Sequence, residues 1–321
     1  MFGFREVEVL SRSEPPHLIP AEAASAVFPD ALDGLERFTQ ARPSIAGVSF
    51  DRPRLMGIVN VTPDSFSDGG KFSTIAQAVK HGLSLAEAGA DILDVGGEST
   101  RPGAVPVDPE IEAERVLPLI TGLQEAGCPV PISIDTRHAA VAHQALAAGA
   151  RIFNDISALQ SDPSSFDAAQ DAMGICLMHA QGDPRTMQVD PSYDDVLLDV
   201  YDFLEYRIAA CEMAGISRER LIVDPGIGFG KTLENNLALI RGLSLFHGLG
   251  CPVMLGASRK GFIGRLAGGA AADNRMPGSV AAGISGLEQG AQLLRVHDVA
   301  ETRQAVDVWA ALIDSGTGID E

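Results

Sequence analysis

The stretch PISIDTRHAAVAHQALAAGARIFNDI, residues 131–156, contains the unit from which most of the chain is built. A strand-length apolar run (131–136) is followed by a polar loop, a helix-like segment and Gly149, and a second apolar run (151–156) then begins. Both runs are almost continuously apolar, which is typical of parallel strands covered on both faces. Gly149 stands where the helix would end, as expected of a residue that readily adopts the left-handed conformation. The stretch therefore predicts a strand, a helix and a second parallel strand.

The same unit recurs from Arg54 onward. Eight apolar runs can be counted, at residues 55–61, 91–97, 131–136, 151–156, 174–180, 221–226, 252–258 and 292–298. Six of these runs follow a glycine at an expected helix end, namely Gly89, Gly127, Gly149, Gly215, Gly250 and Gly290. Eight units over about 265 residues match a (β/α)8 barrel, which needs roughly 250.

The predicted fold class is therefore α/β, a single-domain (β/α)8 TIM barrel at residues 54–315 with an N-terminal extension at 1–53 and a short tail at 316–321. An open doubly wound sheet is the alternative, but it usually has fewer strands, and no Gly-x-Gly-x-x-Gly turn follows the first run. The proline-rich extension lacks a strong period and looks like an appendage that covers one barrel end.

Composition and charge exclude several classes of protein. The 321 residues are 45% hydrophobic, enough for a large buried core. The formal net charge of −19 opposes binding to nucleic acid or to an anionic membrane. No run approaches the roughly 18 apolar residues of a membrane span, and the start lacks a signal-peptide pattern, so we expect a cytoplasmic protein. Four scattered cysteines are predicted to be small buried apolar residues: Cys128, Cys176, Cys211 and Cys251.

The active site of a barrel lies at the carboxyl ends of its strands, so the residues that end each run are the candidates for function. A polar residue at one strand end is usually a helix cap or a loop anchor. Here all eight ends carry one: Asn60, Glu98 to Arg101, Asp135, Asn154, His179, Asp224, Ser258 with Lys260, and Arg295 with His297. Such a complete set favours a ligand-binding mouth.

This set divides by charge. Asp135, Asn154 and Asp224 offer carboxylates and an amide to a flat heterocycle rich in N–H donors, such as a 2-amino-4-oxo pyrimidine ring. A basic cluster ends the last two strands, where barrels frequently hold phosphate; it comprises Ser258, Arg259, Lys260, Arg295 and His297. Two alternatives stay open: Arg259 as an outward ion pair on the rim, and His179 as a general base or as a structural hydrogen-bonding residue.

Two strand-end loops are dense in Gly, Pro, Ser and Asp, VTPDSFSDGGKFS (61–73) and GGESTRPGAVPVD (96–108). Both exceed the usual two to six residues of such connections, which predicts mobile lids. A third segment, GIGFGKT (226–232), resembles the end of a phosphate-binding P-loop. Pro225 stands where the first glycine of that motif is required, so we reject the P-loop interpretation.

Read together, the strand-end segments resemble the dihydropteroate synthase family of pterin-binding enzymes. They are NVTPDSFSDGG, DVGGESTRPGA, ISIDT, FNDIS, MHAQGDPRTMQ, DPGIGFGKT, GASRKGFIG and RVHD, and the resemblance covers about residues 54 to 310. It implies an enzyme that joins a pterin pyrophosphate to p-aminobenzoate in folate biosynthesis, with Mg²⁺ as cofactor. It also implies a homodimer and competition by sulfonamides.

The resemblance further implies a role for each matched residue. The pterin would contact Asp135, Asn154, Met178, Asp224 and Lys260. p-Aminobenzoate would contact Thr100, Arg101, Pro102, Phe229 and Ser258. Pyrophosphate would contact Asn60, Arg101, Arg295 and His297, and Asn60 would also coordinate Mg²⁺. The implied catalytic set is Asp135, Lys260, Arg295 and His297, which would stabilise the charges that develop as pyrophosphate leaves.

Two other functions stay open from the sequence. A methyltetrahydrofolate:corrinoid methyltransferase resembles this barrel, but its chemistry needs no pyrophosphate site, and the Ser-Arg-Lys segment (258–260), the Arg-Val-His segment (295–297) and the two long loops argue against it. A catalytically silent pterin-binding protein would be expected to lose matched residues, and none is missing.

Overall fold

The computed structural model describes residues 5–27, 32–61, 71–98, 106–182 and 186–313. Two short antiparallel strands and two helices lie before the barrel. They are β1 (Glu6–Val9), β2 (His17–Pro20), α1 (Ala21–Val27) and α2 (Leu32–Thr39). Among the described residues, no helix has both the length and the apolar character needed to cross a membrane.

Eight parallel strands confirm the predicted barrel. They are β3 (Arg54–Asn60), β4 (Ile92–Gly96), β5 (Ile132–Asp135), β6 (Ile152–Asp155), β7 (Gly174–Met178), β8 (Leu221–Asp224), β9 (Met254–Leu255) and β10 (Leu293–Val296). The hydrogen-bonded order is β8-β7-β6-β5-β4-β3-β10-β9. A bridge between Val223 and Val253 brings β8 beside β9, so the sheet nearly closes on itself.

Helices follow the strands in alternation. They are α3 (Lys71–Glu87), α4 (Pro109–Glu125), α5 (Ala139–Ala147), α6 (Ser165–Asp171), α7 (Val196–Met213), α8 (Leu233–Arg241), α9 (Gly261–Leu266), α10 (Met276–Glu288) and α11 (Val299–Ile313). The six glycines predicted at helix ends all have positive φ angles, between 72° and 117°. The left-handed conformation therefore ends these segments as the sequence indicated.

Side chains point alternately to the two faces of each strand. Outward residues such as Leu55, Leu93 and Phe153 are fully buried in the large core beneath the helices. Inward residues near the amino ends, such as Met56 and Ile222, form a second and smaller apolar cluster. Asp94 and Asp135 follow inward positions of this kind toward the carboxyl ends of β4 and β5, and both are buried.

Ile45, from the segment predicted to cover one barrel end, packs into this inner cluster. A Cβ on Gly174, the first residue of β7, would lie only 2.3 Å from the Ile45 Cγ2. Glycine is therefore required at the start of β7, because Ile45 occupies the space that a side chain would need. The boundaries and role of the rest of the extension stay a prediction.

Three local expectations were wrong. The first long loop ends earlier than expected, because α3 already begins at Lys71 and not after residue 73. The seventh strand is only two residues long, Met254–Leu255, although the apolar run covers 252–258. Cys128 is half-buried, whereas the other three cysteines are buried as expected, and all four are free.

Candidate active site

Four of the polar residues expected at the strand ends, Asn60, Asp135, Asn154 and Asp224, lie at neighbouring positions near the carboxyl end of the barrel wall. The parallel register places Asn60 beside Gly96, Gly96 beside Asp135, and Asp135 beside Asn154. Asp224 lies beside Met178 in the same way. The wall therefore joins these residues, separated by more than 160 positions in the chain, in one site.

A buried ionic triad lies at the centre of this wall. Arg295 donates through Nε to Asp94 Oδ2 at 2.6 Å and through Nη2 to Asp135 Oδ2 at 2.5 Å. Asn154 Nδ2 donates to the same Asp94 oxygen at 3.1 Å. With both carboxylates ionised the triad carries one net negative charge, and Asp94 has no exposed surface. Charges held this way act strongly on a ligand because water cannot screen them.

Burial and the surrounding charges shift the titration of the triad. Burial, assisted by the charge of Asp94, raises the pKa of Asp135 to about 7, although Arg295 opposes this shift. Burial alone would lower the pKa of Arg295, but Asp94 and Asp135 outweigh it and raise that pKa. Arg295 is thus a permanent cation, whereas Asp135 changes charge near neutral pH.

Sequence reasoning missed Asp94. Its run, DILDVGG, reads as an apolar strand, and the candidates for function were sought only among the residues after that strand. The sequence did contain a signal for Asp94. Residues two apart on a strand share one face, so a carboxylate two positions after the inward residue Ile92 also faces the barrel interior.

A second pair of charged residues, Asp224 and Lys260, lies beside Arg295. Asp224 is 2% exposed, and its Oδ1 accepts a hydrogen bond of 2.7 Å from Gly226 N. A Cβ on Gly256 would lie 3.4 Å from Asp224 Oδ2 and 3.9 Å from Lys260 Nζ, so both groups border the space left by this glycine. Burial raises the pKa of Asp224, and burial also lowers the pKa of Lys260 to about 8.

Lys260 lies near Asp224 and also contacts Phe229, one of the predicted aminobenzoate residues. Its Nζ donates to the Ile227 carbonyl and lies 4.4 Å from the centroid of the Phe229 ring. This distance is within the range of a cation–π contact. Ser258 Oγ lies 3.0 Å from His297 Nδ1 and accepts a hydrogen bond of 3.2 Å from His297 N. The structure thus brings Phe229, Ser258, Lys260 and His297 to the ends of neighbouring strands.

Arg259 points away from the mouth. It donates through Nε and Nη2 to the two carboxylate oxygens of Asp298, at 3.0 and 2.5 Å. This geometry agrees with the outward ion pair that the sequence left open. His179 Nδ1 lies 2.8 Å from Lys231 Nζ, and burial, with help from Lys231, lowers the pKa of His179 to about 3, which agrees with the structural hydrogen-bonding role that the sequence left open.

Several predicted residues fall outside the described part of the chain. Thr100, Arg101 and Pro102 are among them, as is most of both long loops. Their roles, and the mobility of the loops, stay predictions.

The surroundings of Asn60 offer space for a magnesium ion. A Cβ on Gly96 would lie 3.3 Å from Asn60 Oδ1 and 3.7 Å from Asp135 Oδ2, so this glycine leaves a recess between an amide oxygen and a carboxylate oxygen. Mg²⁺ prefers oxygen ligands and usually takes few from the protein, the rest coming from water and substrate phosphates. The residues at Asn60 therefore fit the ion.

A separate cluster of Glu98, Glu112 and His138 brings its side-chain ligand atoms within 4.8 Å of one another. Its members are already paired. Glu98 accepts two hydrogen bonds from Arg137, at 3.1 and 3.2 Å, and His138 Nδ1 lies 2.8 Å from Glu112 Oε2. The members of the cluster are consequently engaged with one another and with Arg137, and Arg137 bonds Glu98 and not Asp135.

The sequence profile of the pterin binding enzyme family matches residues 56–297. The chain belongs to this family. Pterin binding enzymes similar to it include the dihydropteroate synthase of Neisseria meningitidis serogroup B, which is 50% identical over 271 residues, 83% of this chain and 94% of the relative.

Solved structures of family members agree. The dihydropteroate synthase of Xanthomonas albilineans with 4-aminobenzoic acid is 49% identical and superposes with a TM-score of 0.80, over 87% of this chain and 100% of that one. The Xanthomonas albilineans enzyme in complex with 7,8-dihydropteroate has 44% identity and a TM-score of 0.76, over 86% of this chain and 100% of that chain.

Proposed function

We propose that this chain catalyses the dihydropteroate synthase reaction. It joins 6-hydroxymethyl-7,8-dihydropterin pyrophosphate to p-aminobenzoate and produces 7,8-dihydropteroate and pyrophosphate, a cytoplasmic step of folate biosynthesis. The observation that carries the proposal is one barrel mouth in which buried acceptors, Asp135, Asn154 and Asp224, lie together with the cations Lys260 and Arg295. The similarity to relatives of this name, which extends over more than 80% of the chain, supports it.

Recognition of the pterin follows from the acceptors. A pterin ring presents an amino group and ring N–H donors along one edge, and Asp224 and Asn154 present oxygens that are almost fully removed from water. Binding a ligand that leaves a buried acceptor without a donor costs about 1 to 3 kcal/mol of binding free energy. These oxygens therefore favour a ring that supplies the donors. Met178 lies on the same wall, 4% exposed, and would contact the flat ring face.

The chemical step separates charge. As the C–O bond between the pterin methylene and pyrophosphate breaks, positive charge develops on the pterin and negative charge on the leaving group. Asp135 stabilises the first, and Lys260, Arg295 and His297 stabilise the second. These groups are held in place before the reaction by the ionic triad and the Ser258–His297 contact, which is how preorganised electrostatics lowers a barrier.

The nucleophile needs no general base to become reactive. An aryl amine is neutral at pH 7, so it attacks the pterin methylene directly and loses a proton after the C–N bond has formed. The low pKa of His179, about 3, agrees with this sequence of events. Phe229 and Ser258 would line the aminobenzoate side, where sulfonamides would compete, together with the predicted contacts of Thr100, Arg101 and Pro102.

Magnesium would be held by Asn60, with the substrate pyrophosphate supplying further oxygen ligands. When bound, the ion neutralises part of the charge on the leaving group. Arg295 and His297 orient the same pyrophosphate from the last strand.

A homodimer is also part of the proposal. An apolar cavity of about 350 Å³ opens between α8, α9 and α10, lined by residues that include Leu237, Phe262 and Leu266. The Leu266 side chain is 58% exposed there. An exposed apolar surface of this kind is suited to burial against a second copy. Light scattering of the purified chain should give twice the mass of one chain.

Pyrophosphate release separates this function from the two alternatives. Purified protein, pterin pyrophosphate and Mg²⁺ should release pyrophosphate only when p-aminobenzoate is added. Neither a silent binding protein nor a methyltransferase would release pyrophosphate under either condition. The matched control is Asp224→Asn, which should need a higher concentration of pterin pyrophosphate for the same release because it binds the pterin weakly. Absence of release from the unmodified protein would contradict the proposal.

A further inference from the structure

The loop after β8 packs backbone to backbone against the loop after β7. A Cβ on Gly226 would lie 1.9 Å from the His179 carbonyl oxygen, and a Cβ on Gly230 would lie 2.4 Å from the Gln181 carbonyl oxygen. Both glycines have positive φ angles, 69° and 63°. No other residue type fits these positions without moving one loop, so the two loops form a single unit beside the mouth.

Lys231 lies at the junction of these loops and is only 2% exposed. Its Nζ lies 2.8 Å from His179 Nδ1 and donates to the His179 carbonyl at 3.3 Å and to the Phe229 carbonyl at 3.0 Å. Three acceptors match the three N–H groups of an ammonium ion. Burial lowers the pKa of Lys231, while the charge of Asp224 opposes this shift.

The role of Lys231 is not explained by the pterin or the pyrophosphate. Its described hydrogen bonds end on two loop carbonyls and one imidazole, which are groups of the protein itself. Two other side chains of the loop after β7 also bond the loop after β8, since Tyr193 Oη donates to the Gly230 carbonyl and Gln188 Nε2 to the Gly228 carbonyl, both at 2.7 Å. Lys231 differs from them because it bonds the backbone carbonyl of Phe229 itself.

Phe229 is the residue whose backbone carbonyl this bond holds directly. Its ring faces the ammonium of Lys260 at 4.4 Å, at the mouth of the barrel. Fixing the Phe229 carbonyl fixes the backbone from which the ring projects, and a ring held in one place presents a constant apolar face to an aryl ligand.

We propose that Lys231 is a positioning residue for the aminobenzoate subsite. It holds Phe229 against the loop after β7, with His179 as its neutral acceptor, and thereby sets the surface that receives the aryl amine. This inference rests on the proposed function and deepens it. Asp224 holds the first residues of the loop independently, through Gly226 N and through its carbonyl, which accepts from His179 N at 3.0 Å. Pterin binding should therefore depend much less on Lys231.

Lys231→Met keeps much of the volume and removes all three hydrogen bonds. We expect the KM for p-aminobenzoate to rise about tenfold or more, since a small misplacement of a group that orients a substrate can cost on the order of 100-fold. The dissociation constant of pterin pyrophosphate, measured by calorimetry, should change less than about threefold. Lys80→Met is the matched control, because Lys80 is exposed on α3, and it should leave both constants unchanged.

A second pair of variants decides the matter if Lys231→Met does not fold. His179→Gln retains a side-chain acceptor for Lys231, whereas His179→Leu removes it. The KM for p-aminobenzoate should rise in the leucine variant and stay close to normal in the glutamine variant, and thermal unfolding verifies that both are folded.

The outcomes are distinct. An unmodified protein that forms no dihydropteroate contradicts the proposed function itself. An active protein in which Lys231→Met, or His179→Leu, leaves the KM for p-aminobenzoate unchanged overturns the positioning role. An equal weakening of pterin and p-aminobenzoate binding would also overturn it, because it indicates a general disruption of structure at the mouth.

Discussion

Asp135→Asn is the change that most directly probes the electrostatics of the mouth. In the native chain Asp94, Asp135 and Arg295 together carry one negative charge, and Asp135 is 8% exposed. The substitution is nearly isosteric and brings the triad to neutrality. Arg295 keeps its hydrogen bond to Asp94, so the fold around the mouth should persist.

The size of the effect follows from Coulomb's law. A unit negative charge about 5 Å from a developing cation, at an effective dielectric constant of about 20, contributes about 3 kcal/mol. A barrier raised by that amount slows the reaction by a factor on the order of 10². The neutral ground-state pterin gains much less from the charge, so its binding should change little. The effect should therefore appear in kcat and not in affinity.

The assay is steady-state turnover at a pH of about 8, where Asp135 is mostly ionised, combined with calorimetry of pterin binding. The prediction is a kcat reduced by about 10²-fold or more and a pterin dissociation constant within a few fold of normal. A variant that binds pterin weakly but turns over at nearly the normal kcat would refute the reasoning, because Asp135 would then only orient the substrate.

Three further changes test the rest of the structure. kcat/KM should decrease below a pH of about 7, where Asp135 gains a proton, and above a pH of about 8, where Lys260 loses one. Asp135→Asn should remove the decrease at low pH; if that decrease persists in the variant, another group causes it. Asp224→Asn places a donor against the pterin donors and should weaken pterin binding by about 1 to 3 kcal/mol, roughly 5- to 150-fold, measured by calorimetry. Gly174→Ala should lower the free energy of unfolding by about 1 to 3 kcal/mol through overpacking, and adding Ile45→Ala should make the glycine change nearly neutral; denaturation of the double variant checks this.

The barrel and much of its mouth were predictable from the sequence, because both depend on local pattern. Eight apolar runs, each followed by a polar residue, place Asp135, Asn154 and Asp224 at equivalent strand ends. The rule that parallel strands share one functional edge then brings residues together that are far apart in the chain. No packing detail is needed for that step.

Contacts across the barrel were not predictable. Arg295 was expected to bind pyrophosphate, and its hydrogen bonds to Asp94 and Asp135 span 201 and 160 residues. Such pairs depend on how the sheet closes and on the tilt of its strands, which no short pattern encodes. The role of Lys231 was not predicted for a related reason: its three acceptors lie on two loops that meet only in the folded barrel.

The most direct test of the proposed reaction is the product itself. Purified protein supplied with pterin pyrophosphate, p-aminobenzoate and Mg²⁺ should yield 7,8-dihydropteroate, identified by mass spectrometry, in a one-to-one ratio with released pyrophosphate. Removal of either substrate should abolish both products. Pyrophosphate without dihydropteroate, or neither product from folded protein that binds pterin, would contradict the assignment of this chain to that reaction.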